Sequence, residues 1–262
     1  MPKKSHKPDN RLPHAIRLLY EDRDILVVDK PPGLLTMGTD KEKTRTLYYI
    51  LTDYIRKGYS KSSKRIFIVH RLDREASGLL VFTKTEEAKY ALQDHWEEAE
   101  KKYVAIVHGR LAKKEGVITS YLTENAAHNV YSTSDRAKGK LSSTEYKVVQ
   151  ETKDFSLLEI KLLTGRKHQI RVHLADSGHP IVGDKKYGQE DRINKRLALH
   201  AVSLAFKHPY SGEPQIFESR APGYFVQLMR EHETQPIVSS KPEGFRRTAF
   251  KRKQGREERR QP

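Results

Sequence analysis

Residues 70–84 decide the fold and read His-Arg-Leu-Asp-Arg-Glu-Ala-Ser-Gly-Leu-Leu-Val-Phe-Thr-Lys. The polar first half of this segment stands between two short apolar stretches, residues 66–69 and 79–83. Both stretches have the length and the β-branched or aromatic content of buried strands. The segment therefore predicts a polar loop held between two strands of one sheet.

Within this loop, the carboxylate of Asp73 stands among the side chains of His70, Arg71 and Arg74. Neighbouring cations favour the ionised form of a carboxylate. An ionised carboxylate on a rigid scaffold is a candidate nucleophile or base. Seen alone, the same four residues are better explained by an aspartate that closes a turn or pairs with an arginine.

On both sides of this segment the sequence alternates between short apolar stretches and polar turns. Strands are predicted at residues 15–20, 25–30, 103–108, 117–122, 144–149, 156–163 and 200–206. Helices are predicted at residues 46–56, 85–99 and 168–177. In the second of these, Thr85 is the N-cap and apolar residues follow at helical spacing as far as Ala99. Many strands, few helices and no regular βαβ alternation predict an α+β fold with a largely antiparallel sheet.

Charge divides the 262-residue chain into a core and two basic ends. Of the formal net charge of +16, residues 241–262 contribute +6 from nine Lys/Arg and three Glu, and residues 1–14 contribute +3 from four Lys/Arg and one Asp, which leaves +7 between them. We expect a basic arm over residues 1–13, a folded domain over residues 14–230 and a basic, disordered tail over residues 231–262. The positive middle indicates a polyanionic partner, either a phosphate backbone or an anionic membrane surface.

Composition excludes several classes of protein. The sequence has no cysteine, which excludes disulfides, thiolate zinc sites and thiol nucleophiles and fits a cytoplasmic location. No apolar run approaches the length of a membrane span, and the first residues lack the apolar segment of a secretory signal. We expect a cytoplasmic protein, monomeric by default.

Residues 70–84 resemble the segment around the catalytic aspartate of the RluA-type pseudouridine synthases. Further blocks follow in that family's order: an opening hairpin at residues 18–34, a tyrosine motif at 102–109, a strand at 143–149, an arginine motif at 163–173, and short motifs at 178–184 and 199–201. The resemblance extends from about residue 15 to about residue 225. Five or more ordered matches of motif length make chance similarity a poor explanation.

The resemblance implies a pseudouridine synthase-like catalytic domain, in which a large mixed, mainly antiparallel sheet is flanked by helices and loops around a central cleft. It implies isomerisation of uridine to pseudouridine in ribosomal or transfer RNA, with the target base flipped out of its stack. Asp73 would be the catalytic carboxylate, attacking either the uracil ring or the anomeric carbon. Tyr103 would lie against the uracil and help to remove the proton from ring carbon 5. Arg171 would pair with Asp73 through its planar fork.

The residues expected to contact RNA are His70, Arg71, Arg74, Arg166, Lys167 and His168. Because the isomerisation involves no redox change, no hydrolysis and no group donor, it implies no cofactor and no metal.

The sequence departs from the family at Ala76, where a threonine usually precedes Ser-Gly, so a hydroxyl that could form a local hydrogen bond near the loop is missing, which leaves the expected reaction unaffected. The residues before His14 are also too few for the small RNA-binding domain that many relatives carry. RNA would then be held by the catalytic domain and the basic ends.

Three rival interpretations remain open. A metal-dependent hydrolase would need paired ligands, but the spacing of five between His168 and His173 separates their side chains on a helix and on a strand. A non-catalytic RNA-binding ribosome assembly factor would share the charge and the fold, but would have no reason to retain Asp73, Tyr103 and Arg171 together. A membrane-surface protein would need a basic amphipathic helix, and none stands out.

Overall fold

The computed structural model describes residues 11–40, 42–188 and 195–231. The predicted tail from residue 232 onwards, and residues 1–10 of the predicted arm, lie outside the described residues. The strands are β1 Arg11–Leu12, β2 Ile16–Glu21, β3 Ile25–Lys30, β4 Phe67–Ile68, β5 Ser77–Thr83, β6 Glu100–His108, β7 Glu115–Glu124, β8 Val130–Thr133, β9 Lys140–Glu151, β10 Phe155–Leu162, β11 Leu199–Lys207 and β12 Pro214–Glu218. The helices are α1 Leu47–Arg56, α2 Glu86–Asp94, α3 Gln169–Asp176 and α4 Gly223–Glu231.

All of these strands belong to one mixed sheet. Ten run in the order β1-β2-β3-β5-β11-β6-β10-β9-β7-β8, while β12 pairs with β11 and β4 pairs with β5. The pairing of β5 with β11 is parallel, and every other pairing between the described strands is antiparallel. The predicted α+β class with a large, mainly antiparallel sheet is confirmed.

The two strands beside the quoted loop are buried because their apolar residues are continuous rather than alternating. Every residue of β5 is buried, as are Ile25 to Val28 of β3, so both faces of the sheet are covered at this point. Buried strands read as unbroken apolar runs when no face meets water. This covered region supports the loop that carries Asp73.

All three predicted helices form, and the predicted N-cap Thr85 is confirmed. The hydroxyl of Thr46 accepts a hydrogen bond from the backbone N–H of Tyr49, and the hydroxyl of Thr85 accepts one from Ala88. The end predicted for the second helix is wrong, since α2 stops at Asp94. Trp96 lies in the turns that follow, where it packs against the rings of His70 and Phe206, so its apolar character reflects tertiary packing rather than helical periodicity.

Four short elements were not predicted from the sequence. These are β1 Arg11–Leu12, β8 Val130–Thr133, β12 Pro214–Glu218 and α4 Gly223–Glu231. The three strands are only two to five residues long and two of them lie at the ends of the sheet order, so few apolar residues are required of them. The apolar side of α4 consists of Phe225, Leu228 and Met229, which join the main core.

Helix α3 carries the arginine motif and packs over β7, β8 and β9. Its Val172 joins Leu122 of β7 and Val130 of β8 in a small second core. The turn before α3 and the loop between β4 and β5 both line the same cleft. None of the helices in the described residues is long and apolar enough to span a bilayer.

Candidate active site

A cleft of about 570 Å³ collects the segments that the sequence singled out. Its walls come from four places: the β4–β5 loop with Asp73, β6 with Tyr103, the residues before and in α3 with Arg171, and the turn after α2 with Trp96. The three residues expected to act on the substrate therefore line one cavity, although up to 98 positions separate them in the chain.

Arg171 joins two carboxylates beneath this cleft. Its Nη1 donates to Oδ2 of Asp73 at 3.0 Å, while Nε and Nη2 donate to the two carboxylate oxygens of Asp184, each at 2.8 Å. The planar fork thus grips Asp184, and Asp73 receives a single bond. The prediction of a two-pronged hold on Asp73 is wrong in this respect. Arg171 has 4% of its side chain exposed and Asp184 has none, so the bonds between them form away from water.

Asp184 is held as a carboxylate by the groups around it. Burial alone would raise its pKa, but the hydrogen bonds and charge of Arg171 and the backbone N–H groups of Lys186 and Tyr187 bring the pKa below its usual value. Burial alone would lower the pKa of the Arg171 guanidinium, but the carboxylates of Asp184 and Asp73 together raise it. Arg171 is therefore a permanent cation, fixed from behind and aimed at Asp73.

A second group near Asp73, the imidazole of His168, is contributed by the turn before α3. Nε2 of His168 lies 3.6 Å from Oδ1 of Asp73, and Nδ1 hydrogen-bonds to the hydroxyl of Tyr187 at 2.7 Å. Burial lowers the pKa of His168, which the charge of Asp73 opposes. His168 adopts a left-handed backbone conformation with φ of 53° at the start of the helix, which turns its ring towards the cleft wall.

The side chains adjacent in sequence do not hold Asp73, contrary to the initial expectation. Arg74 turns away, donating to the carbonyl of Gly33 at 3.2 Å and lying 3.5 Å from the carboxylate of Glu42. Arg71 is exposed at the cleft wall. The groups that contact Asp73, Arg171 and His168, come from distant parts of the chain because the loop points its side chains in several directions.

His70 is an uncharged support rather than a cation. Its ring packs on Trp96 with centroids 4.6 Å apart, and its Nε2 accepts a hydrogen bond from the backbone N–H of Val81 at 3.2 Å. Burial and, to a smaller extent, the charge of Lys101 lower the pKa of His70 to about 3. His70 lines the cleft as a neutral ring that packs the loop onto the sheet.

Tyr103 projects from β6 into the cleft with 7% of its surface exposed. Burial raises the pKa of its hydroxyl, and the negative charge of Asp73 raises it further. Both effects favour the protonated phenol at neutral pH. The ring is therefore suited to contact an apolar or aromatic surface, and its hydroxyl is suited to donate a hydrogen bond.

The remaining residues expected to contact RNA lie in the turn between β10 and α3. Arg166 is exposed, whereas the ammonium group of Lys167 is paired with Glu124. Gln169 fixes this turn from below, since its carbonyl oxygen accepts hydrogen bonds from the hydroxyl of Thr164 and the N–H of Arg166. The rigid turn presents Arg166 and His168 at the wall of the cleft.

A buried chain of hydrogen bonds anchors this turn. The side-chain amide of Gln169 donates to Thr144, and the two ring nitrogens of His173 bond Thr144 at 2.9 Å and Ser120 at 3.1 Å. Burial lowers the pKa of His173 to about 4. His173 is therefore a neutral structural residue, with Ser120 as one partner and Thr144 as the other.

Two charged residues of the site were not identified from the sequence. Asp184 lies in a motif that carried no assigned role. Lys30 is fully buried and its ammonium donates to the carbonyls of Pro31, Leu34 and Arg74, at 3.0, 2.9 and 3.1 Å, so it ties the opening hairpin to the residue next to Asp73. Burial lowers the pKa of Lys30 to about 7 against the charges of Asp73 and Glu75. Hydropathy patterns assign charged residues to the surface, so only the family-like motif around each could have drawn attention to them.

Within the described residues, one group has a spacing suited to a metal ion: Asp22, Asp24 and His208. The hydrogen bonds of Asp22 are already taken up by its neighbours, because one carboxylate oxygen accepts two backbone N–H groups and the other contacts Tyr20 and His208. This group closes a turn between β2 and β3. His168 and His173, the pair considered for a metal from sequence, bond different partners, Tyr187 for the first and Thr144 for the second.

Comparisons with known proteins agree on one family. Residues 24–176 match the family described as RNA pseudouridylate synthase. The chain is 35% identical over 221 residues to the uncharacterized RNA pseudouridine synthase YlyB of Bacillus subtilis, which covers 83% of this chain and 73% of that protein. It is 34% identical over 226 residues to the ribosomal large subunit pseudouridine synthase D of Nitrosomonas europaea, covering 82% of this chain and 64% of that protein. The fold is similar to human RNA pseudouridylate synthase domain containing 4, with a TM-score of 0.66, 24% identity, and coverage of 81% of this chain and 91% of that one.

Proposed function

Since the chain belongs to the RNA pseudouridylate synthase family, whose members are isomerases acting on RNA, we propose that it converts a uridine of ribosomal RNA to pseudouridine with Asp73 as the catalytic carboxylate. The single observation that carries this proposal is the bond between Asp73 and the buried, doubly anchored Arg171 at the cleft. A guanidinium fixed on one carboxylate can hold the other in a defined position.

The geometry supports a division of roles within the cleft. Asp73 keeps 15% of its side chain exposed, so one edge of the carboxylate can reach a substrate while Arg171 bonds the other. The carboxylate would attack either the uracil ring or the anomeric carbon of the flipped nucleotide. The isomerisation detaches uracil, rotates it and rejoins it through carbon, which calls for no cofactor.

Tyr103 would face the flipped uracil from β6. Because its pKa is raised, the phenol keeps its proton and would hydrogen-bond a uracil carbonyl while its ring packs on the base. The same shift disfavours the phenolate that would take the proton from ring carbon 5. We therefore assign Tyr103 to holding the base and regard its part in proton removal as the weaker of the two roles.

Recognition of RNA would rest on exposed cations around the cleft, chiefly Arg71 and Arg166. Phosphate contacts of this kind position an RNA without selecting a sequence. Ribosomal RNA is favoured over transfer RNA because the Nitrosomonas europaea relative is named for the large ribosomal subunit. We place the reaction in the cytoplasm and propose that the enzyme acts as a monomer.

The experiment that tests this function maps pseudouridine across total RNA from cells with and without the gene. We expect at least one ribosomal position to lose the modification in cells without the gene and to regain it on complementation. Loss of a position in transfer RNA alone would refute the proposed substrate and leave the chemistry intact. An unchanged map would refute the function.

A further inference from the structure

The proposed catalytic residues come from two parts of the sheet that meet at one parallel pairing. Asp73 precedes β5, which belongs with β1 to β4, while Tyr103 and Arg171 come from the part built around β6 to β12. In the sheet the two parts are joined by β5 and β11, with Ser77 opposite His200 and Gly78 opposite Ala201. The position of Asp73 relative to Arg171 therefore depends on the register of this short pairing.

The backbones approach closely at this joint. Gly78 has a φ of +112°, and a Cβ added there would lie 2.3 Å from the carbonyl oxygen of Ala201. Only glycine permits both the left-handed conformation and this approach. The joint is thus built for one register of β5 against β11.

A buried relay of side chains crosses the same joint. The hydroxyl of Ser77 contacts Nδ1 of His200 at 2.8 Å, Nε2 of His200 contacts the hydroxyl of Ser219 at 3.2 Å, and Ser219 donates to Oδ2 of Asp29 at 2.6 Å. Ser77, His200 and Ser219 have 3%, 2% and 8% of their surfaces exposed. The relay thus links β5, β11 and the end of β12 to β3.

The direction of every hydrogen bond in the relay is set by the carboxylate of Asp29 at its end. A carboxylate can only accept, so the proton of Ser219 points to Asp29, and the oxygen of Ser219 must accept from Nε2–H of His200. Nδ1 of His200 is then unprotonated and accepts from the hydroxyl of Ser77. Burial lowers the pKa of His200 against the charge of Asp29, and the charge of Arg17 lowers it further, which agrees with a neutral ring.

We propose that Ser77, His200 and Ser219 are positioning residues that lock β5 against β11 and so hold the carboxylate of Asp73 in line with Arg171. None of the three lines the cleft, so they act through the loop between β4 and β5 and not on the substrate. Ser77 is only four residues from Asp73 in the chain, so a shift of β5 would be passed directly to the carboxylate. The inference rests on the proposed catalytic role of Asp73.

The test compares hydroxyl deletions inside and outside the relay in the full-length protein. Ser219→Ala and Ser77→Ala each break one bond of the relay, and Ser219→Thr keeps the hydroxyl. The matched control is Ser156→Ala in β10, outside the relay, which removes a fully buried hydroxyl that donates to the carbonyl of Gly109. Turnover is measured as tritium released from 5-tritiated ribosomal RNA isolated from cells that lack the gene, and thermal unfolding is measured in parallel.

We expect each relay deletion to lower kcat about tenfold with KM within about twofold of wild type, since small misplacements of reacting groups cost rate rather than binding. Ser219→Thr should restore kcat, and Ser156→Ala should lower the melting temperature while leaving kcat unchanged. The double variant of Ser77 and Ser219 should be no slower than either single variant, because both break the same relay.

Several results would overturn the inference. Wild-type kcat in both relay variants, or the same kcat loss in Ser156→Ala, would show that the relay only stabilises the core. Additive losses in the double variant would show two separate effects. A wild-type protein that released no tritium from this RNA would refute the proposed function itself, and with it the role of the relay.

Discussion

Asp184→Asn tests the anchor behind Arg171, a feature visible only in the structure. The amide keeps the shape of the carboxylate, but its NH₂ group cannot accept the hydrogen bonds that both oxygens of Asp184 now receive. Either Nε of Arg171 or the backbone N–H groups of Lys186 and Tyr187 would face another donor. The variant also removes one of the two charges that neutralise a guanidinium with 4% exposure.

The magnitude follows from the burial of this pair. Removing one partner of a buried ion pair costs about 3–5 kcal/mol, and the retained shape and partial bonding place this variant near the lower end, at about 3 kcal/mol. For a folded domain of this size each kcal/mol lowers the melting temperature by about 2–4 °C, so a fall of about 6–12 °C is expected. Because Arg171 loses its fixed position, kcat should also fall at least about tenfold.

The assay combines denaturant unfolding with turnover on the same preparations. Glu98→Gln is the control, since it neutralises an exposed carboxylate paired with Lys207 and His95 and should change neither quantity appreciably. If Asp184→Asn unfolded and turned over like the wild type, the bonds between Asp184 and Arg171 would not support the site, and the reasoning from their burial would be refuted.

Three further predictions concern other parts of the chain. Arg171→Lys should lower kcat severely while the protein still folds, because one ammonium cannot bond Asp73 and both oxygens of Asp184 at once. The measurements are kcat and circular dichroism, and turnover like that of the wild type would contradict the prediction. The pKa of His173 lies near 4 in the folded state and about 6.5 when unfolded, so its neutral form stabilises the protein fully above pH 6.5, and its own contribution to the free energy of unfolding should fall by about 1.4 kcal/mol per pH unit as pH drops from about 6.5 towards 4. Denaturant unfolding at several pH values should show this slope reduced in His173→Asn, and an identical slope in the variant would refute the assignment. Deleting residues 241–262, which carry nine Lys/Arg, should reduce the slope of log RNA affinity against log salt concentration by about 0.7 per lost phosphate contact, without changing which uridine is modified. A salt titration and a map of the modified site check this, and a different site or an unchanged slope would contradict it.

Much of the fold could be predicted because its signals are local. The apolar run of residues 79–83 and the N-cap Thr85 depend on neighbours in sequence, and both predictions are confirmed. The end of α2 could not be predicted, because the apolar side chain of Trp96 packs against the rings of His70 and Phe206 and does not belong to a helix face.

The site shows the same limit more sharply. The resemblance drew attention to Asp73, Tyr103 and Arg171, and the structure brings all three to one cleft. The distribution of bonds around Arg171 could not be predicted, because Asp184 is 13 positions away and its burial depends on the packing of the turn around it. Charge patterns in the sequence assigned the contacts of Asp73 to its cationic chain neighbours, whereas the fold places the guanidinium of Arg171 and the imidazole of His168 there.

The most direct test of the account is the turnover of Asp73→Asn on 5-tritiated ribosomal RNA, with RNA binding measured on the same preparation. The amide fills the same space and can still accept a bond from Arg171, but it cannot act as a nucleophilic carboxylate. We predict that tritium release falls to background while affinity for RNA stays within about threefold of wild type. Substantial turnover by this variant would contradict the assignment of Asp73 and, with it, the mechanism proposed for the cleft.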